Sequence, residues 1–278
     1  MAQHSKTCVI NNSEFDFISR LVKQHSGLVI PRDKTYLVES HLSPLAATHG
    51  FHTLSQFICS LKKHTDEKMA GEVIEAVTNH ESMFFRDKKP FEQLRKMILP
   101  RIRNMRAKGS KIRIWSAACA TGQEPYSLAI CLLEEATSMA GYDYEIIATD
   151  ISAQALAKAK RGIYTQFESQ RGMPKELLHK YFIKLVDSRW QVNAMLRDVI
   201  TFGKQNLLEE FVVPGTFDLV LCRNALIYFD DATKRVLLEK FRLRMNPGSM
   251  LMVGSGENLT DIPHKFAAME NAHGVYVL

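Results

Sequence analysis

Ile112-Arg113-Ile114-Trp115-Ser116-Ala117-Ala118-Cys119-Ala120-Thr121-Gly122-Gln123-Glu124-Pro125-Tyr126-Ser127-Leu128-Ala129-Ile130 decides how this chain is read. It begins as a short apolar strand, passes into small residues, turns at Thr121-Gly122 and enters a helix whose first turn carries Glu124 and Pro125. A strand, a tight small-residue turn and a helix start form a nucleotide cradle at the carboxyl end of a parallel sheet. Small side chains let backbone approach a ligand, Gly122 tolerates positive φ, and Pro125 suits a first helical turn. A dinucleotide turn would show Gly-x-Gly-x-x-Gly around a pyrophosphate. Here one glycine is present, and Glu124 sits where a pyrophosphate would be repelled. That suits a cationic, phosphate-free nucleoside such as S-adenosylmethionine. An ordinary βα turn is the competing explanation of this stretch taken alone.

Downstream, Tyr144–Thr149 reads as a second strand ending on Asp150, the position where a doubly wound fold holds ribose hydroxyls. Ser152 can N-cap the helix 153–160, leaving Asp150 free. Residues 162–205 break the rhythm: Trp190, Val192 and Ala194 alternate with polar residues as a half-exposed antiparallel strand does. A small β insertion of about 178–204 is expected, its last strand rejoining the main sheet. Asn206-Leu207 then lies at a strand end, suited to an adenine contact. Phe217–Cys222 is a fourth main strand running into Arg223-Asn224-Ala225-Leu226-Ile227-Tyr228-Phe229. A helix 231–244, a turn at Asn246-Pro247-Gly248, and strands 250–254 and 275–278 complete an α/β, doubly wound, Rossmann-like sheet over residues 111–278.

Upstream, residues 1–80 read as a helical domain. Ser13 with Asp16 resembles a capping signal, Phe17, Ile18, Leu21 and Val22 follow at helical spacing, and Gly27 closes the helix. Further helices are expected from Asp33 towards Pro44, after Thr53, and over 66–77. Residues 81–110 form a basic linker with a helix from Pro90 to about Arg106 that Pro100 should bend or interrupt. Just before it, Thr78-Asn79-His80-Glu81-Ser82-Met83-Phe84-Phe85-Arg86-Asp87 leads polar residues into an aromatic pair and an Arg. This is either a helix end with buried phenylalanines or a guanidinium held over a site, able to grip a carboxylate through two parallel hydrogen bonds.

Composition bounds the rest. With 46% hydrophobic and 24% charged residues the chain is of ordinary globular type. No apolar run approaches membrane-spanning length, and Ala2–Lys6 is polar where a signal peptide would be apolar. Five scattered cysteines without a Cys-x-x-Cys pair suggest reduced thiols and a cytoplasmic location. No metal-ligand spacing occurs. The net charge of +6 is uneven: residues 86–113 hold 11 basic and 2 acidic residues. That run is a solvated face, or it meets an acidic protein or a nucleic acid.

Taken together these segments resemble the chemotaxis-receptor glutamate O-methyltransferases, the CheR family. The likeness rests on Phe84-Phe85-Arg86, on Trp115-Ser116-Ala117-Ala118 through Gly122-Gln123-Glu124-Pro125-Tyr126-Ser127, and on Ala148-Thr149-Asp150-Ile151. It extends to Phe217-Asp218 through Cys222-Arg223-Asn224 to Ile227-Tyr228-Phe229, and to Gly254 through Glu257-Asn258-Leu259. The resemblance implies an S-adenosylmethionine-dependent methyltransferase, with S-adenosylhomocysteine as product. It implies that Asp150 holds the ribose, that Glu124 lies beside the cofactor with Ala118, and that Asn206, Leu207, Cys222 and Arg223 line the adenosine pocket, the last two largely through backbone. It also implies that Arg86 and Tyr228 face the methyl group, with Arg86 in contact with the cofactor as well. His80 and Ser82 stand where the family often has Asn and Thr; both are assigned cofactor contacts.

The implied partner is the helical cytoplasmic region of a methyl-accepting receptor, met through the N-terminal and linker surface; a monomer, with no nucleic acid and no membrane insertion, is expected. Some members tether to a receptor C-terminal pentapeptide at the β insertion and carry extra glycine-containing residues there. The loop Leu185-Val186-Asp187-Ser188-Arg189 is short and lacks glycine, and Asp187 would repel a terminal carboxylate, so no tether is expected. Two rival functions stand beside this one. A nucleic-acid methyltransferase would explain the basic run, but Cys222-Arg223-Asn224-Ala225 is not the Asn/Asp-Pro-Pro-Tyr/Phe of base-amine enzymes. An inactive S-adenosylmethionine sensor would have no use for Arg86 and Tyr228.

Overall fold

The computed structural model describes residues 10–278; Cys8 and the polar Ala2–Lys6 stretch lie outside them. The chain divides into two compact units, 1–79 with 228–230, and 80–227 with 231–278.

The first unit contains four α-helices among the described residues: α1 (Asn12–Ser26), α2 (Thr35–Thr48), α3 (Leu54–Lys63) and α4 (Glu67–Val77). The cap of α1 is Asn11, not Ser13: its side chain accepts from the Glu14 N–H while the Glu14 carboxylate accepts from the Asn11 N–H. That reciprocal box satisfies two orphan donors. Gly27 ends the helix at φ 77°. Thr53 caps α3, which starts after it as expected, and Asp66, expected as the first residue of α4, is its cap through its side chain. Helix α2 runs through Pro44 to Thr48, beyond the expected stop.

The second unit opens with an irregular stretch, then a helix in three pieces: α5 (Lys89–Gln93), a π turn (Leu94–Ile98) and α6 (Leu99–Met105). Pro100 lies in the first turn of α6. The π turn shifts the bonding ladder so that the Leu99 N–H reaches the Leu94 carbonyl, and the proline interrupts without breaking. The order continues with β1 (Lys111–Ala117), α7 (Gln123–Glu134), β2 (Asp143–Asp150), α8 (Ala153–Arg161), β3 (Ile163–Tyr164), α9 (Gln166–Gln170), α10 (Lys175–Tyr181), β4 (Phe182–Lys184), β5 (Trp190–Val192), α11 (Ala194–Arg197) and β6 (Ile200–Lys204). It closes with β7 (Phe217–Cys222), α12 (Asp231–Arg242), β8 (Met245–Val253), β9 (Ala267–Ala268) and β10 (Val275–Val277).

Seven strands form one sheet in the order β6-β2-β1-β7-β8-β10-β9, parallel except where β10 pairs with β8 and β9. The order reverses at β1, the topological switch point where such sheets bind ligands. The small sheet, β3-β5-β4, draws in Ile163–Tyr164, and Ile200–Lys204 joins the large one beside β2. Asn246-Pro247-Gly248 is not a turn between elements: β8 runs through it, with a register shift against β7 and Gly248 at φ 82°. A bulge accommodates a proline whose missing N–H a regular ladder would need. Among the described residues no helix is long and apolar enough to cross a membrane.

The core of the second unit is built on the strands that carry the candidate site. Trp115 is fully buried against Phe211, Phe217 and Phe241, and its indole N–H donates to Thr149 Oγ1 at 2.9 Å. A buried indole needs such a partner. Phe84 meets Tyr164 and Phe182 edge-on, which fixes the stretch ahead of Arg86 to the small sheet.

Candidate active site

At the carboxyl end of β1 the chain leaves the sheet through Ala118 and Ala120, both left-handed at φ 59° and 48°. Gly122 follows at φ 96°, and a Cβ there would lie 2.7 Å from that of Ala159. No other residue fits this turn. The neighbouring strand ends hold the cradle in shape. Asp150, buried, accepts the Ala120 N–H at 2.8 Å on one oxygen and the Ser152 N–H at 2.9 Å on the other. Ser152 caps α8 as expected, through the Ala155 N–H. Asp150 is nevertheless not left free: it braces the cradle.

Glu124 is engaged at both oxygens, by Ser116 Oγ at 2.8 Å and by Arg223 Nη1 at 3.0 Å. Its charge is therefore offset by a guanidinium rather than left bare to repel a pyrophosphate. Arg223 is the hub. Its side chain is 1% exposed, and Nη2 donates to the Arg86 carbonyl and to Asp87 Oδ2, both at 3.0 Å, while its guanidinium lies over Phe91. The side chain thus ties the loop carrying Arg86 to the cradle carrying Glu124.

That loop is strained: Phe85, Asp87 and Lys88 adopt positive φ. With Ala118, Ala120 and Asn224 they make six of the eight non-glycine residues of this kind among the described residues. Such conformations cost of order 1–3 kcal/mol each and persist where surroundings over-determine them. Besides the Arg223 contacts, the Phe85 N–H donates to Ser127 Oγ at 3.0 Å. Arg86 is half-buried, forms no ion pair among the described residues, and donates a long hydrogen bond of 3.4 Å to the Glu81 carbonyl.

On the other side of β2, the Gln205 N–H donates to the Asp150 carbonyl at 2.9 Å, which brings Asn206 and the buried Leu207 to the same edge. The Asn206 amide braces its own turn through the Leu208 N–H and Glu209. Lys240 clamps that turn, donating to the carbonyls of Leu207 at 3.0 Å, Leu208 at 2.7 Å and Glu209; burial pulls its ammonium below the usual lysine range. Cys222 ends β7 opposite Ala117. Burial pushes the Cys119 and Cys222 thiols up, so neither is a thiolate nucleophile at neutral pH.

Arg86, Ala118, Glu124, Asp150, Asn206, Leu207, Cys222 and Arg223 thus gather at the carboxyl ends of β1, β2, β6 and β7. His80 and Ser82 are half-buried in the stretch before Phe84, and His80 Nε2 is buried without a protein partner. Tyr228 belongs to the first unit. It ends a 3-10 turn (Leu226–Tyr228), its side chain is partly exposed, and its carbonyl accepts from the Val29 N–H at 2.8 Å.

Sequence reasoning missed Asp87, Lys240 and the buried side-chain role of Arg223. Asp87 sits inside a quoted motif, and a carboxylate beside a candidate guanidinium was the available signal. Lys240 had no local signal.

The donor set fits S-adenosylmethionine: a buried carboxylate at the second strand end, a small-residue cradle, an amide at the edge strand, and no glycine-rich phosphate loop. Comparison with known proteins agrees. The profile described as the CheR methyltransferase SAM binding domain matches residues 80–275, and that of the CheR methyltransferase all-alpha domain matches residues 13–78. Chemotaxis protein methyltransferase 1 of Pseudomonas aeruginosa is 34% identical, over 95% of this chain and 97% of its own. The chemotaxis protein methyltransferase of Vibrio anguillarum is 34% identical over 96% of each, and that of Borreliella burgdorferi 36% identical over 88% of each. The chain belongs to the CheR family of S-adenosylmethionine-dependent methyltransferases.

Proposed function

We propose that this methyltransferase acts on glutamate side-chain carboxylates of methyl-accepting chemotaxis receptors, forming methyl esters. One observation carries the proposal: a guanidinium in no ion-pair contact among the described residues, Arg86, on a strained loop fastened to the cofactor cradle by Arg223. When bound, S-adenosylmethionine supplies an electrophilic methyl group. An acceptor glutamate, with a reference pKa of about 4.3, is already an ionised nucleophile at neutral pH and needs no base. What the chain contributes is alignment and exclusion of water, a task worth up to roughly 7–11 kcal/mol. Arg86 grips the acceptor carboxylate through parallel hydrogen bonds, and Tyr228 shapes the acceptor side. Asp150 takes the ribose hydroxyls, with Asn206, Leu207 and the backbone of Cys222 and Arg223 around the adenosine. Glu124 and Ala118 lie beside the cofactor, and His80 and Ser82 complete its pocket.

The test is incubation of tritiated S-adenosylmethionine with receptor-containing membranes, read as base-labile methanol. Wild-type protein should release it. Arg86→Ala should bind S-adenosylhomocysteine nearly as well yet release methanol about 10–100-fold more slowly, the loss of charge-assisted hydrogen bonds of about 1.5–3 kcal/mol. Lost cofactor affinity with surviving turnover at saturation would reassign Arg86.

The receptor-facing surface is narrower than the basic run suggests. Arg95 pairs with Glu135, Arg103 donates to the Ser138 carbonyl, Arg106 pairs with Asp218 and Arg113 with Glu145. Lys88, Lys89, Lys96, Arg101, Lys108 and Lys111 remain exposed. Lys96→Glu with Arg101→Glu should therefore raise the receptor KM about 3–10-fold and flatten its salt dependence. The same change at Arg95 and Arg103 should instead lower stability. Steep, salt-sensitive binding of random duplex DNA with indifference to receptor would favour the nucleic-acid alternative.

The enzyme is proposed to work without a pentapeptide tether, as a monomer in the cytoplasm. Support comes from the tight loop of the small sheet, where the Leu185 N–H donates to the Arg189 carbonyl at 2.8 Å and the Ser188 N–H to that of Leu185 at 3.1 Å. The argument from repulsion by Asp187 weakens, because Arg189 Nε pairs with that carboxylate at 2.6 Å.

A further inference from the structure

The turn Gly254-Ser255-Gly256-Glu257 follows β8 and has no part in the site as described so far. Glu257 is buried, and its carboxylate gathers three backbone N–H groups: those of Gly254 at 2.6 Å and Asn224 at 2.8 Å on Oε2, and that of Ile227 at 3.1 Å on Oε1. Two of these donors belong to the loop after β7, where Asn224 is left-handed at φ 58°. Nothing but glycine fits at Gly254: a Cβ would stand 2.8 Å from the Asn224 backbone nitrogen, from its Nδ2 and from Glu257 Oε2. Close backbone approach is what places Asn224 within reach of the carboxylate. One residue on, Ser255 Oγ donates to Asp87 Oδ2 at 3.1 Å, the oxygen that also takes Arg223 Nη2. A single turn therefore fastens two loops. One leads directly through Ile227 into Tyr228; the other contains Arg86.

We infer that this turn is the positioning element of the acceptor side, with Glu257 setting the Asn224–Ile227 loop and Ser255 steadying the Arg86 loop through Asp87; the inference rests on the methyl-transfer reading above. A carboxylate is required at 257 because three N–H donors converge on two oxygens. A glutamine offers one oxygen and turns an NH2 group towards a donor, which leaves one of the three N–H groups unpaired. Two of its three donors lie on the acceptor loop, so the inference separates turnover from cofactor binding.

The experiment compares wild type, Glu257→Gln and Ser255→Ala by kcat and KM on receptor membranes, calorimetric titration with S-adenosylhomocysteine, and amide hydrogen exchange. Glu257→Gln should lower kcat at least tenfold while cofactor affinity stays within about threefold, with faster exchange over 224–228 and unchanged exchange in β1 and β7. Ser255→Ala, which leaves the core intact, should lower kcat about two- to threefold. Cofactor affinity falling in parallel with kcat, or unaltered exchange over 224–228, overturns the inference. If Glu257→Gln does not fold, unchanged kcat in Ser255→Ala overturns it alone. If wild-type protein methylates no receptor preparation, the methyl-ester reading fails, and the exchange arm still decides whether Glu257 orders the loop.

Discussion

Replacing Arg223 by methionine should lower the stability of the second unit by about 3–5 kcal/mol, the usual result of removing one partner from a buried ion pair. The size follows from what is left behind. Glu124, with 12% of its side chain exposed, would keep a charge whose remaining side-chain partner is the Ser116 hydroxyl, and Asp87 and the Arg86 carbonyl would lose a donor. Asp87 is 35% exposed and screened by water, so most of the loss falls on Glu124. Trp115 and Trp190, the two tryptophans of the chain, both lie in this unit, so fluorescence follows its unfolding alone. A drop in Tm on the order of 10 °C is expected. Glu124→Gln combined with Arg223→Met should recover part of the loss, because the orphan charge disappears with its partner. A shift in Tm of a degree or two, or strict additivity of the two changes, would mean the relay is not what holds the loop.

That relay also marks where sequence stops being informative. The strands ending at Asp150 and Cys222, the helix start after Thr53, the cap at Ser152 and the αL turn at Gly122 are local events, set by residues within a turn of one another, and each was legible. Asn11 and Ser13 are both good cap residues, and the reach of Glu14 decides for Asn11. The pairings that organise the site span 99 residues from Glu124 to Arg223, 136 from Asp87 to Arg223 and 33 from Asn224 to Glu257. No periodicity or spacing encodes such contacts; the sheet order creates them. The basic linker misleads for the same reason. Its arginines at 95, 103, 106 and 113 look like a surface charge in one dimension and are spent on distant partners in three.

Asp150→Ala should weaken S-adenosylhomocysteine about 10–100-fold, the loss of charge-assisted hydrogen bonds of about 1.5–3 kcal/mol. Two causes could give that number, since Asp150 both braces Ala120 and Ser152 and is the group assigned to the ribose. They separate by ligand. Loss of the brace loosens the cradle and weakens every adenosine compound alike. Loss of a ribose contact weakens only ligands that carry the hydroxyls. Adenosine should therefore bind wild-type protein more tightly than 2′,3′-dideoxyadenosine, and Asp150→Ala should shrink that preference to about twofold or less. Asp150→Asn refines the comparison. It keeps one acceptor oxygen but faces an NH2 group towards either the Ala120 or the Ser152 N–H, so it should retain part of the adenosine preference at lower stability. Calorimetric titration of both nucleosides against the three proteins gives the answer. An undiminished preference for adenosine in a folded Asp150→Ala variant would leave Asp150 as a brace alone and move the ribose to another group.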